Sequence, residues 1–123
     1  MFPIWNTEYR KWLHSVYNLE RTESLMIKSF KGGNSSDLAQ FYLFGTQGRL
    51  PTTILVPLRR KLSIIEAASS VQSLRVPPGN RFEFLQGKEL WASIRVNNHW
   101  RLLFKWEKGC ATELFLDPHT YEV

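Results

Sequence analysis

WASIRVNNHWRLLFKW, residues 91–106, reads as a β-hairpin in which two runs of alternating β-forming residues flank Asn97-Asn98-His99. The length of the turn decides what each face carries. With a two-residue turn, Ile94 falls on the side of Arg101 and neither face is clean. With a three-residue turn, Ile94, Val96, Trp100, Leu102, Phe104 and Trp106 share one face, and Arg95, Arg101 and Lys105 share the other. A slip of one residue exchanges the two faces of a strand, so the pattern selects the three-residue turn. The hairpin is expected to turn an apolar face to a core and a basic face outward.

A chain of 123 residues, 43% hydrophobic and 14% aromatic, holds enough apolar surface for one modest core, which argues against intrinsic disorder. Lys and Arg number 16 against 11 Asp and Glu, a formal charge of +5, and basic domains of this size often meet a polyanion. The single Cys110 has no partner for an internal disulfide, so nothing argues for an oxidising compartment. A cytoplasmic location is expected. No apolar run approaches the roughly 20 residues of a membrane-spanning helix, so no membrane partner is expected. The N-terminus mixes Glu8, Arg10 and Lys11 with aromatics and lacks an apolar signal core.

Residues 1–25 read as an extension to the domain. Trp5, Tyr9, Trp12, Leu13 and Val16 recur at helical spacing behind Asn6 or Thr7 as a cap, which predicts a short amphipathic helix docked on the domain or on a partner. The alternative is that translation starts at Met26, whose run MIKSF leads into a first strand, Ile27 to Phe30. After the turn from Lys31 to Asn34, Ser35 or Ser36 caps a helix through Asp37, Leu38, Phe41, Tyr42 and Phe44, ended by Gly45 and Gly48. A second helix starts at Pro51 or Thr52, with Leu55, Leu58, Leu62 and Ile65 as its apolar stripe and Arg59, Arg60 and Lys61 elsewhere. Pro57 either kinks this helix or opens its regular part.

Ser69 to Pro78 reads as a connector closed by Pro77-Pro78-Gly79-Asn80, followed by a strand from Arg81 to Leu85 and a turn over residues 86–89. Beyond the hairpin, the Lys108-Gly109 turn leads to a last strand, Cys110 to Asp117. If Leu114 and Leu116 face the core, Asp117 shares the side of Arg101. The expected architecture is α+β: two helices packed on one face of a small antiparallel sheet whose other face collects polar groups. No phosphate-binding glycine loop, no Cys or His pair at metal spacing and no Gly-x-Ser-x-Gly elbow is present, so neither a cofactor nor a metal is expected.

Three stretches together resemble the HigB-type toxins of the RelE ribonuclease superfamily: MIKSF at 26–30, LRVPPGNRFEFLQG at 74–87 and SIRVNNHWRLLFKW at 93–106. RRKLSIIEAASSVQSL at 59–74 is similar to the family's second helix and the run after it. The resemblance covers residues 26–123 and leaves 1–25 outside. It implies a RelE-like domain acting as the toxin of a bacterial type II toxin–antitoxin pair. Such a toxin cuts messenger RNA on the ribosome without a metal and is held in check by a helix-turn-helix antitoxin. The RNA's own 2′-hydroxyl attacks the adjacent phosphate and leaves a 2′,3′-cyclic end.

That chemistry asks for a cation at the phosphate, a group that takes the 2′-proton and one that protonates the leaving 5′-oxygen. Arg101, in the context NHWR, matches the family's sheet arginine and is the first candidate for the phosphate. The family's tail commonly reads Asp-Tyr-His, here matched by Asp117 and His119 with Pro118 in the tyrosine's place. The other alignment sets Tyr121 on the tyrosine but leaves Thr120 and Glu122 where acid and histidine belong. The first is preferred because histidine, as a residue type, exchanges protons near neutrality. Some family members carry a histidine and a lysine where this chain has Glu83 and Gln86, and Lys88 is a nearby source of charge. Candidate catalytic residues are therefore Arg101, His119, Asp117 and Lys88; candidate RNA-binding residues are Arg59, Arg60, Lys61, Arg81 and Arg95. Pro118 also supports an alternative, a toxin-like binding module that holds antitoxin or ribosome without cleaving.

Overall fold

The computed structural model describes residues 26–121; the helix expected within 1–25 lies outside the described residues. Helix α1 (Asp37–Phe44) begins where the Ser36 side chain accepts a hydrogen bond from the Ala39 N–H, 3.2 Å away, and ends at Gly45, whose φ of 77° is left-handed. It buries Leu38, Ala39, Phe41 and Tyr42. Removing the cap with Ser36→Ala is expected to cost about 1 kcal/mol. That loss lowers the thermal unfolding midpoint by roughly 3–5 °C, read by circular dichroism; an unchanged midpoint would mean that the cap contributes nothing.

Helix α2 (Leu55–Ala67) is entered through a single 3₁₀ turn, Thr52–Ile54. Pro57 does not open this helix, which starts at Leu55. It is the third residue, in the first turn, where amides have no acceptor within the helix and proline's missing N–H leaves nothing unmet. Leu58, Leu62 and Ile65 are fully buried, so the expected stripe is the one that packs. The segment expected as a plain connector contains one further turn of helix, α3 (Val71–Leu74), because the Ser70 side chain caps it at the Ser73 amide.

Four strands follow, β1 (Glu83–Phe84), β2 (Trp91–Arg95), β3 (Arg101–Glu107) and β4 (Cys110–Asp117), antiparallel and in sequence order across the sheet. β1 is shorter than the expected Arg81 to Leu85. The 3₁₀ turn Pro78–Asn80 throws Arg81 into a left-handed conformation, φ 47°, outside the sheet. The segment Ile27 to Phe30 also falls short of a strand. It meets β4 in parallel at two isolated bridges, Ile27 with Ala111 and Phe30 with Leu114. Between them the ladder is broken, because the Glu113 amide donates to the Ser29 hydroxyl rather than to a backbone carbonyl.

The hairpin has the three-residue turn. Arg95 opposes Arg101, the Val96 amide donates to the Trp100 carbonyl, and Asn97 Oδ1 accepts from the amides of His99 and Trp100, both at 2.8 Å. Ile94, Val96, Leu102, Phe104 and Trp106 lie in the core with the helix residues, and Trp100 packs against it. The opposite face is less uniformly polar than the hairpin pattern suggests. Leu103 is fully buried there, Trp91 and Phe115 meet edge to face at 5.9 Å, and Lys105 is paired with Glu113 at 3.0 Å. This apolar strip confines the polar site to the end of the sheet where Arg101 lies.

One irregularity sets what faces Arg101. Between Leu103 and Lys105 the register with β4 shifts by one residue, at a bulge where Glu113 adopts φ 53°. Continuing the register of Lys105 with Thr112 would set Leu116 opposite Arg101; the bulge sets Asp117 there instead.

Candidate functional site

Arg101 is 4% exposed, and its guanidinium is held as a fixed part of the sheet. Nε and Nη2 both donate to Ser93 Oγ, at 3.1 and 2.9 Å, and Nη2 also donates to the Arg81 carbonyl at 2.7 Å. Among the described residues nothing accepts from Nη1, so one edge of the guanidinium remains available. It borders a depression of about 140 Å³ lined by Arg81, Arg95, Asn97, Asn98, Arg101 and His119. Among the described residues three guanidinium groups and no carboxylate line this space, an arrangement suited to a small anion.

Asp117 opposes Arg101 in the strand register, yet among the described residues no ion pair joins them. The buried Asp117 carboxylate instead accepts from the Thr120 amide at 2.8 Å, the Thr120 hydroxyl at 3.1 Å and the Tyr121 amide at 3.2 Å. These bonds fold the tail back over the sheet. His119 and Tyr121 turn through left-handed conformations, φ 70° and 58°, and their rings meet at 5.1 Å. The Tyr121 ring centre lies 5.9 Å from the Arg101 guanidinium carbon, and its hydroxyl donates to Glu83 Oε1 at 3.1 Å.

Tyr121, which the preferred tail alignment brings to the site only if it folds back, does fold back to it. Burial pushes its hydroxyl above the ordinary tyrosine range; Arg101 opposes this, while the hydrogen bond to Glu83 and that carboxylate's charge add to it. The phenol thus keeps its proton at neutral pH. Ser93 was also not singled out from the sequence, although its alternation with Arg95 on β2 puts it on the face of Arg101.

Of the other candidates, Arg81 and Arg95 line the depression. Lys88 lies in the loop before β2, and Trp91, where that strand begins, pairs with Lys105, whereas Arg95 at its far end pairs with Arg101. Lys88 lines a separate hollow with Phe84, Leu85 and Trp106 and is not brought to Arg101. Arg59, Arg60 and Lys61 follow one another on α2 and border a larger groove, about 720 Å³, which they share with Arg95. Lys61 donates to the side chain of the fully buried Asn80, whose own amide bonds the Leu74 and Val76 carbonyls.

Fold and site define a small α+β protein with a guanidinium-lined depression at one end of the open face of its sheet. The chain belongs to the family described as the RelE-like toxin of the type II toxin-antitoxin system HigB, whose pattern matches residues 28–119. It is 50% identical over 86 residues to Toxin HigB-1 of Vibrio cholerae serotype O1, covering 68% of this chain and 90% of that protein. It is 41% identical over 88 residues to an uncharacterised protein of Haemophilus influenzae, covering 70% of this chain and 87% of that one. The protein is thus a HigB-like toxin of a type II system, and an antitoxin is its partner. No helix among the described residues is long and apolar enough to cross a membrane.

Proposed function

We propose that this toxin is a cytoplasmic, ribosome-dependent endoribonuclease that cuts messenger RNA by attack of the 2′-hydroxyl on the adjacent phosphate, and that a helix-turn-helix antitoxin restrains it. The observation that carries this reading is the guanidinium of Arg101, which lines the depression and is held by three hydrogen bonds from Nε and Nη2, with Nη1 left without an acceptor among the described residues. A preorganised donor of this kind stabilises charge that develops on the phosphate oxygens without having to reorganise during the reaction. Arg81 and Arg95 hold flanking phosphates. His119, at the rim, takes the 2′-proton as the new oxygen–phosphorus bond forms. Tyr121, protonated and beside Arg101, gives its proton to the 5′-oxygen as that bond to phosphorus breaks. Asp117 is a positioning residue that holds the tail carrying both groups, and Lys88 lies outside the depression and takes no part in the cleavage step.

Expression without antitoxin should arrest bacterial growth, and primer extension should map new message ends that carry 2′,3′-cyclic phosphates. Arrest with intact message would instead favour the non-cleaving binding module that Pro118 suggests. The Tyr121 assignment makes a separate prediction for Glu83→Gln. Loss of the carboxylate charge removes a contribution that favours the neutral phenol, so the Tyr121 pKa should fall while Arg101 continues to lower it. Carbon NMR of labelled tyrosine would show one ring titrating earlier than in the wild type, and an unshifted Tyr121 titration would remove Glu83 from its surroundings.

A further inference from the structure

The larger groove beside α2 has a composition that a nucleic-acid track does not need. Arg60, Lys61 and Arg95 supply positive charge to it, but much of its lining is aliphatic: Val56, Ile64 and Val96, with Pro57 and Pro77. Val56 stands 66% exposed in the first turn of α2. Among the described residues no aromatic ring lines the groove, so unpaired bases would find there no surface of the kind on which they usually stack. Branched aliphatic walls beneath a charged rim suit a peptide that brings both an apolar anchor and carboxylates. Among the described residues that line the groove there is no carboxylate. Burial first, then the nearby Arg60 and Arg95, lowers the pKa of Lys61, and its hydrogen-bond partner Asn80 is neutral.

We propose that this groove seats an acidic segment of the antitoxin, anchored by an aliphatic side chain against Val56 and Ile64 and by carboxylates at Arg60, Lys61 and Arg95. The docking rests on the membership of a toxin–antitoxin family; its consequence for activity rests on the nuclease reading above. Arg95 borders both this groove and the Arg101 depression. A carboxylate on Arg95 therefore neutralises a cation that the message would otherwise use. The antitoxin can in this way weaken RNA binding at the depression while lying mainly outside it.

The test measures affinity for the cognate antitoxin by calorimetry, with the toxin carrying Arg101→Ala so that it can be produced alone. Val56→Asp and Arg60→Glu are each compared with Lys108→Glu, a change in the β3–β4 turn. All three positions are exposed, and retained thermal midpoints establish that the variants fold. Expected is at least a tenfold loss of antitoxin affinity for Val56→Asp and for Arg60→Glu and none for Lys108→Glu, with a weaker salt dependence for Arg60→Glu than for its parent. Wild-type affinity in both groove variants overturns the proposal. So does a result in which Arg60→Glu weakens binding of a twelve-residue oligouridylate while neither variant affects the antitoxin, which would make the groove an RNA track. Because the readout is binding, it decides the docking claim even for a toxin that proves not to cleave.

Discussion

Replacing Arg101 by alanine is expected to lower message cleavage by about 10²–10³-fold, the usual consequence of removing one preorganised donor at a developing negative charge. The effect should be large because nothing else at the depression is held comparably. Arg81 is exposed and Arg95 is bonded, among the described residues, to the side chain of Asn98 alone, whereas Arg101 is buried and tied by two nitrogens to Ser93 and Arg81. The same substitution should also destabilise the fold by about 1–3 kcal/mol, since it leaves the buried Ser93 hydroxyl and the Arg81 carbonyl without their donor. Arg101→Lys separates the two effects. An ammonium can recover part of the stability through one contact, but it cannot span Ser93, Arg81 and a phosphate at once, so cleavage should stay low. Cleavage by primer extension and stability by thermal unfolding are read on the same preparations. Folded Arg101→Ala that cuts within about threefold of wild type would remove Arg101 from the phosphate-binding role.

Asp117→Ala is expected to release the tail. Three hydrogen bonds end on this carboxylate, and through them it sets where His119 and Tyr121 stand. Loosening groups that must meet the reacting atoms commonly costs up to about 100-fold in rate. The amides of Thr120 and Tyr121 should then exchange with solvent far faster than in the wild type. Asp117→Asn discriminates between two ways in which the residue can act. If its task is to hold the tail, the amide oxygen retains part of the hydrogen bonding and the loss is intermediate. If its task is to put negative charge opposite Arg101, asparagine should be as damaging as alanine while the tail amides stay protected. The bonding pattern favours the first outcome, because the carboxylate oxygens are directed to Thr120 and Tyr121 and no ion pair with Arg101 forms among the described residues.

The hairpin and the helices were legible in the sequence because each rests on local rules. Alternation of apolar residues around Asn97-Asn98-His99 chose the turn length, and the structure supplies the reason in the Asn97 side chain, which bonds two amides across the turn. Ser36, Gly45 and the stripe of Leu58, Leu62 and Ile65 are likewise short-range signals. Less legible was the length of elements at the margins of the sheet. Whether residues 27–30 make a strand depends on a partner more than 80 positions away, and the partner's bulge at Glu113 breaks the ladder there. Lys88 shows the same limit for the site. Two positions from Gln86 in sequence, it was a reasonable source of charge, but the loop carries it to the other end of the hairpin from Arg101.

By itself the sequence determined an α+β domain, an apolar hairpin face and Arg101 on the reverse of that face, since periodicity and turn chemistry act over a few residues. The alternation of Leu114 and Leu116 likewise set Asp117 on the side of Arg101, and the tertiary structure decided which residue stands opposite Arg101 and what each side chain bonds. Ala111 and Leu114 both face the core from β4 although an odd spacing separates them, which a regular strand forbids. The bulge at Glu113 absorbs the extra residue, reverses the facing of everything after it and brings Asp117 opposite Arg101. From there the Asp117 carboxylate folds the tail so that Tyr121 lies over the guanidinium. A bulge is chosen by the best simultaneous packing of both strand halves against the core, which is why no local pattern announced it.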